Sequence, residues 1–154
     1  MKAVIQRVLS ASVEVEQKSI GQIGAGLLVL LGAEKGDTPA DVDYMVEKIP
    51  HLRIFSDDQG KMNRSLMDCG GELLVVSQFT LLGDTHRGRR PGFDQAASPD
   101  LARHLYDSAI ANFREKGIPV QTGMFGANML VSLKNDGPVT FTLDSRKGIS
   151  GNIH

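Results

Sequence analysis

Ser77-Gln78-Phe79-Thr80 puts two hydroxyls, an amide and an aromatic ring directly after Leu73-Leu74-Val75-Val76, an apolar run that reads as a buried strand. At a strand end the backbone N–H groups leave the ladder, so they are free to bind a ligand oxygen or a developing oxyanion. The same residue types also cap strand ends or bond their own backbone, and that use needs no ligand. A nucleophilic Ser or Thr needs a base within hydrogen-bond reach. There is no Gly-x-Ser-x-Gly elbow, and the histidine that follows the motif, His86, belongs to a basic stretch, so a Ser-His-Asp triad is not expected.

Four further groups of residues stand out. Asn135-Asp136-Gly137-Pro138-Val139-Thr140 carries a Gly-Pro pair with little side chain of its own, which reads as a rigid projecting turn. Arg7 interrupts an otherwise apolar first strand, and a charge there needs a partner. His86-Arg87-Gly88-Arg89-Arg90 concentrates positive charge in five residues, with Lys61 and Arg64 as further basic positions. Phe125, in Met124-Phe125-Gly126-Ala127-Asn128-Met129, either stacks on an unpaired base or enters the core at the start of a strand.

Composition bounds the possibilities. A chain of 154 residues with 41% hydrophobic and 23% charged residues suits one globular domain. Its net charge of −1 lacks the basic excess of proteins that grip long stretches of nucleic acid, so any RNA contact is expected at a small patch and a chain end. Cys69 is the single cysteine, and His51, His86, His104 and His154 show no ligand spacing, so neither a disulfide nor a metal site is expected. The longest apolar run, Ala25 to Leu31, is far short of a membrane span, and no signal-peptide pattern opens the chain. A cytoplasmic location is the expectation, with no membrane partner.

The elements that must position these residues are legible from period and caps. Val13 and Val15 alternate with Glu14 and Glu16, and a turn at Gln17-Lys18-Ser19 leads to a partner around Ile20 to Ile23, which makes a hairpin. Gly26 to Leu31 and Leu73 to Val76 are continuous apolar runs, suited to strands covered on both faces. A helix follows each. Thr38-Pro39 starts the first, with Val42, Met45, Val46 and Ile49 on one stripe. Ser98-Pro99 starts the second, with Ala102, Leu105, Tyr106, Ala109, Ile110 and Phe113 as its stripe and Gly117 as its stop. Met129 to Leu133 and Val139 to Leu143 flank the Gly-Pro pair as a second hairpin, and a flexible polar tail is expected over 145–154 after a single domain of 1–144. The fold class is α/β: a hairpin, two strand-helix units and further strands, in layered or barrel-like sheets with two helices.

Ala3-Val4-Ile5-Gln6-Arg7-Val8, Lys61-Met62-Asn63, Ser77-Gln78-Phe79-Thr80-Leu81, Met124 to Met129 and Asn135 to Thr140 together resemble the D-aminoacyl-tRNA deacylases, over a span from Ala3 to about Leu143. The resemblance implies a homodimeric hydrolase that cleaves the ester of D-aminoacyl-tRNA without a cofactor and also accepts glycyl-tRNA. It implies oxyanion donors in the backbone around Phe79 and Thr80, with Ser77 and Gln78 in the same site. Thr80 either positions substrate or acts as a nucleophile. The resemblance further implies a cis Gly137-Pro138 pair projecting into the partner's site to screen chirality, with Arg7 orienting it through backbone carbonyls. Phe125 and Met129 are then substrate-binding candidates, and Arg87, Arg89 and Arg90 contact tRNA. Two rivals remain: a non-enzymatic nucleic-acid-end-binding protein, and a Ser or Thr esterase.

Overall fold

The computed structural model describes residues 1–150. In chain order its elements begin with β1 (Lys2–Val15), β2 (Lys18–Ile23), β3 (Gly26–Gly32), α1 (Pro39–His51), β4 (Phe55–Ser56), β5 (Met62–Arg64) and α2 (Leu66–Cys69). They continue with β6 (Glu72–Ser77), a 3-10 turn (Phe79–Leu82), α3 (Pro99–Glu115), β7 (Val120–Thr122), β8 (Leu130–Asp144) and α4 (Ser145–Ser150). The long strand β1 organises the rest. Its first half pairs antiparallel with β3 and its second half with β2, while β8 runs antiparallel along its other edge. Beyond β3 the sheet continues with β6 and then β7, both parallel, as the two strand-helix units require. The ends of this sheet approach each other, since a Cβ built on Gly21 of β2 would lie 2.7 Å from the Thr122 carbonyl of β7. The sheet is a nearly closed barrel.

Because residues 27–31 of β3 and 73–76 of β6 are unbroken apolar runs, they bury both faces. Leu27, Val29, Leu31, Leu73 and Val75 join the stripes of α1 and α3 in one core, while Leu28, Leu74 and Val76 meet Val8, Ala11, Val13 and Ile23 inside the barrel. Each such side chain contributes about 1.5–3 kcal/mol on burial. The strand β1 serves both cores by changing parity. Val8 to Ser10 spans only Asn135 to Lys134 on β8, so Leu9 is the surplus residue of a bulge and is 58% exposed. Ala3 and Ile5 before it face the helices, whereas Ala11 and Val13 after it face the barrel.

The expected second hairpin is not formed. Both arms pair with β1 in the same direction, as one strand, and the Gly-Pro segment is an outward loop within it. Gln6 pairs with Thr140 and Val8 with Asn135, so five steps of β8 match two of β1, and the surplus three residues are expelled. A hairpin and a wide bulge share the same sequence signal, and only the partner strand distinguishes them. The first hairpin forms with its turn at Glu16-Gln17, both in the left-handed region (φ 50° and 65°).

Two further helices, α2 and α4, join the two that periodicity predicted, and both are too short to show a stripe. The expected flexible tail begins instead as α4. Ser145 is fully buried: its hydroxyl accepts from the Met1 ammonium at 2.5 Å and donates to Asp41 Oδ1 at 2.6 Å. The same ammonium pairs with Asp37 at 2.8 Å, and Arg146 bridges Glu34 and Asp37 at 3.2 and 3.3 Å. The rest of the expected tail lies outside the described residues. No helix among the described residues is long and apolar enough to cross a membrane.

Candidate active site

At the end of β6 the chain leaves the sheet. Gln78 N–H still donates to the Leu31 carbonyl at 2.9 Å, but the next residues wind into the 3-10 turn, closed by Leu81 N–H to Gln78 O at 3.3 Å. This close approach needs Gly32 at the end of β3, where a Cβ would meet the Gln78 carbonyl at 2.8 Å. As the first donors of the turn, the Phe79 and Thr80 N–H groups have no acceptor among the described residues. The Gln78 amide donates to the Thr80 hydroxyl oxygen. That oxygen therefore faces a donor, and among the described residues no base is hydrogen-bonded to the hydroxyl. The arrangement suits a positioned polar group better than an activated nucleophile.

Gln78 and Phe79 of this turn, though not Thr80, help line a cavity of about 510 Å³. Ser77, Gln78 and Phe79 line the polar end, and an apolar arm runs from them between Ala96, Ala97, Ala102, Tyr106, Phe125 and Met129. The stretch before α3 is tied across the end of β3, with Ala97 N–H on the Ala33 carbonyl at 3.0 Å and Lys35 N–H on that of Gln95 at 2.9 Å. Tyr106 donates to the Val75 carbonyl at 2.8 Å, and its phenol is pushed up to about 12, chiefly by burial and then by the Asp107 carboxylate. It is a fixed neutral wall. Phe125 leans on this ring at 6.0 Å between centroids, so it is partly core and partly cavity lining.

The Gly-Pro loop stands elsewhere. Gly137-Pro138 is cis and exposed, and neither residue lines the chain's own cavity. Asn135 replaces the missing ladder partners, donating to the carbonyls of Arg7 and Val139 at 3.0 Å each and accepting from Val139 N–H at 3.3 Å. The Arg7 side chain, 10% exposed, finds its partners here. It donates to the Asp136 carbonyl at 3.0 Å and the Ile54 carbonyl at 2.6 Å, and pairs with the Asp136 carboxylate at 3.1 Å. Position 137 admits only glycine in this conformation, because a Cβ there would lie 2.0 Å from Val139 N.

The basic stretch is an exposed loop closed at its neck by two hydrogen bonds between Asp84 and Gly92, of 2.7 and 2.9 Å. Inside it the Asp84 carboxyl is held below its ordinary value by the His86 backbone N–H, then by the His86 ring at 2.7 Å. Arg87, Arg89 and Arg90 project from the loop and do not line the cavity. Their link to the site is Phe93, next to the neck, which meets Phe79 edge-on at 5.1 Å. The sequence gives no sign of this contact, nor of Ala96 and Ala97 as cavity wall. Tyr106 was visible only as one member of a core stripe. Among the described residues no group of three or more His, Cys, Asp or Glu could hold a metal ion.

The protein is thus of the α/β class, with free backbone donors beside an amide-oriented hydroxyl at the end of β6 and a largely apolar cavity adjoining them. Residues 4–144 match the family model of D-Tyr-tRNA(Tyr) deacylase. The chain is 59% identical over 147 residues to the D-aminoacyl-tRNA deacylase of Clostridioides difficile, covering 96% of this chain and 99% of that one. It is 60% identical over 147 residues to that of Geotalea daltonii, covering 96% and 98%. Among solved structures it is similar to a c-Myc DNA unwinding element binding protein, with TM-score 0.89, 44% identity and coverage of 94% and 98%. A probable eukaryotic D-amino acid tRNA deacylase shares the fold, with TM-score 0.76, 21% identity and coverage of 92% and 97%. The chain belongs to the D-Tyr-tRNA(Tyr) deacylase family and is a hydrolase.

Proposed function

We propose that this protein hydrolyses the ester of D-aminoacyl-tRNA, releasing the D-amino acid and intact tRNA. The observation that carries this reading is a separation: Phe79, whose N–H is free beside that of Thr80, lines a cavity, and the exposed cis Gly137-Pro138 edge, held by Arg7 and Asn135, takes no part in that cavity's wall. An edge with no role in its own site suits the site of a second copy. In a homodimer it would stand over the partner's cavity and collide with an L side chain while leaving the D configuration room. Glycine, with no side chain to reject, is an expected second substrate.

The scissile ester is activated, and the ribose 2′-OH beside it can relay a proton. The cavity then has only to hold the ester, admit water and present the Phe79 and Thr80 N–H groups where negative charge develops on the carbonyl oxygen. Gln78 and Thr80 act as positioning groups. The acceptor end enters with its terminal base in the apolar arm by Phe125 and Met129, and Arg87, Arg89 and Arg90 take phosphates outside. The alternative of a nucleic-acid-end binder without activity draws on the 44% identical unwinding-element binding protein. The test is deacylation of matched D- and L-aminoacyl-tRNA, with sedimentation of the same sample. Rapid loss of the D ester alone, by a dimer, is expected. Equal rates, or a D ester that survives, would refute the reading.

A further inference from the structure

Arg103 is unused by the reading above, yet it stands beside the apolar arm. It lies on α3 among residues that wall the cavity, Pro99, Ala102 and Tyr106, and its guanidinium carbon sits 5.8 Å from the centroid of the Phe125 ring. The ring is fixed from behind by Tyr106, which is itself tied to the Val75 carbonyl. The guanidinium thus sits within cation–π range of a packed ring, while the side chain is 65% exposed. Among the described residues its ion pair is Nε to Asp107 Oδ2 at 3.8 Å, one helical turn along and equally open to water. A pair of that kind is worth a few tenths of a kcal/mol, so it yields easily to a better acceptor.

We propose that Arg103 binds the 5′-phosphate of the substrate's terminal nucleotide, an inference that rests on the aminoacyl-tRNA reading. The chemistry follows from the two ends of the cavity. A nucleoside whose 3′-ester lies at Gln78-Phe79 and whose base lies in the arm holds its ribose between them. In that placement the 5′ carbon would leave the ribose near Phe125, within reach of the Arg103 guanidinium beside that ring. A guanidinium has a planar fork that matches phosphate oxygens, and its attraction to the Phe125 ring keeps the charge beside the cavity, so less freedom is lost when the contact forms. The aromatic ring and the cation thus act together, the ring holding the fork and the fork holding the nucleotide's one charged group.

The test compares 3′-O-(D-aminoacyl)-adenosine with the same ester carrying a 5′-phosphate, reading kcat/KM for each. The parent protein should prefer the phosphorylated ester by about tenfold, the scale of one charge-assisted contact at a partly exposed site. In Arg103→Ala that ratio should fall to about one, in Arg103→Lys it should be intermediate, and in Asp107→Asn it should rise. A role confined to propping Phe125 would lower both rates and leave the ratio unchanged, which would overturn the proposal. If the parent hydrolyses no D ester, the proposed function fails, and binding of AMP against adenosine then decides this inference alone. Tighter AMP binding that is lost in Arg103→Ala upholds it, and equal binding overturns it.

Discussion

Replacing Arg7 by Ala should loosen the Gly-Pro edge and lower stability together. Arg7 satisfies two backbone carbonyls, those of Asp136 and Ile54, and Ile54 is only 6% exposed. A buried acceptor stripped of its partner costs about 1–3 kcal/mol, while the half-exposed Asp136 carboxylate adds little. Two such carbonyls give a loss of about 3 kcal/mol, or a melting point lower by about 6–12 °C for a chain of this size. The protein should still fold, since that loss is below the usual stability of a domain. Its edge should move, because Asp136 directly precedes Gly137-Pro138 and keeps only the Asn135 anchors on the far side. Hydrolysis of L-aminoacyl-tRNA should therefore rise relative to D, measured below the new melting point. Arg7→Lys, with one ammonium for three acceptors, should be intermediate in both respects. An unchanged melting point would refute the energetic argument; a lower one with full D-over-L discrimination would show that Arg7 does not set the edge.

Other outcomes follow from the same geometry. Ser77→Ala and Thr80→Ala should retain measurable deacylation, because the Phe79 and Thr80 N–H groups survive the substitution, whereas loss of one oxyanion donor costs about 10²–10³ in rate. A trapped acyl-enzyme that Thr80→Ser abolishes would point to a covalent route. Changing Arg89 and Arg90 together to Ala should raise KM for tRNA substrates and reduce the salt slope by about one per phosphate released, read from kinetics at two ionic strengths. Asp41 is buried, which would raise its pKa, but the Ser145 hydroxyl, the Thr38 N–H and the Met1 ammonium together hold it below the ordinary value of 3.8. Its ionised form thus favours the fold above that value, and the benefit disappears as pH falls through the lowered pKa. Denaturant unfolding of Asp41→Asn should show a deficit at neutral pH that narrows in acid.

Sequence alone determined what depends on near neighbours along the chain. The Thr38-Pro39 and Ser98-Pro99 starts, the stripes of α1 and α3, and the two-faced burial of β3 and β6 follow from period and cap chemistry, which act within a few residues. Motif resemblance marked Ser77 to Thr80 and Gly137-Pro138, and the surplus charge of Arg7 announced a partner without naming it. Tertiary structure decided everything that needed a second strand. Whether Asn135 to Thr140 turns back as a hairpin or loops out of one strand depends on β1, whose Gln6, 134 residues from Thr140, and Val8 set the register. The N–H groups of Phe79 and Thr80 are free as the first donors of a turn that Gly32, by leaving room for the Gln78 carbonyl, lets curl over the end of β3. Phe93 beside Phe79, and Arg103 over Phe125, join residues whose spacing in the chain carries no periodic signal. The short helix α4 is held by a buried cluster drawn from both ends of the described chain, a contact no local propensity encodes.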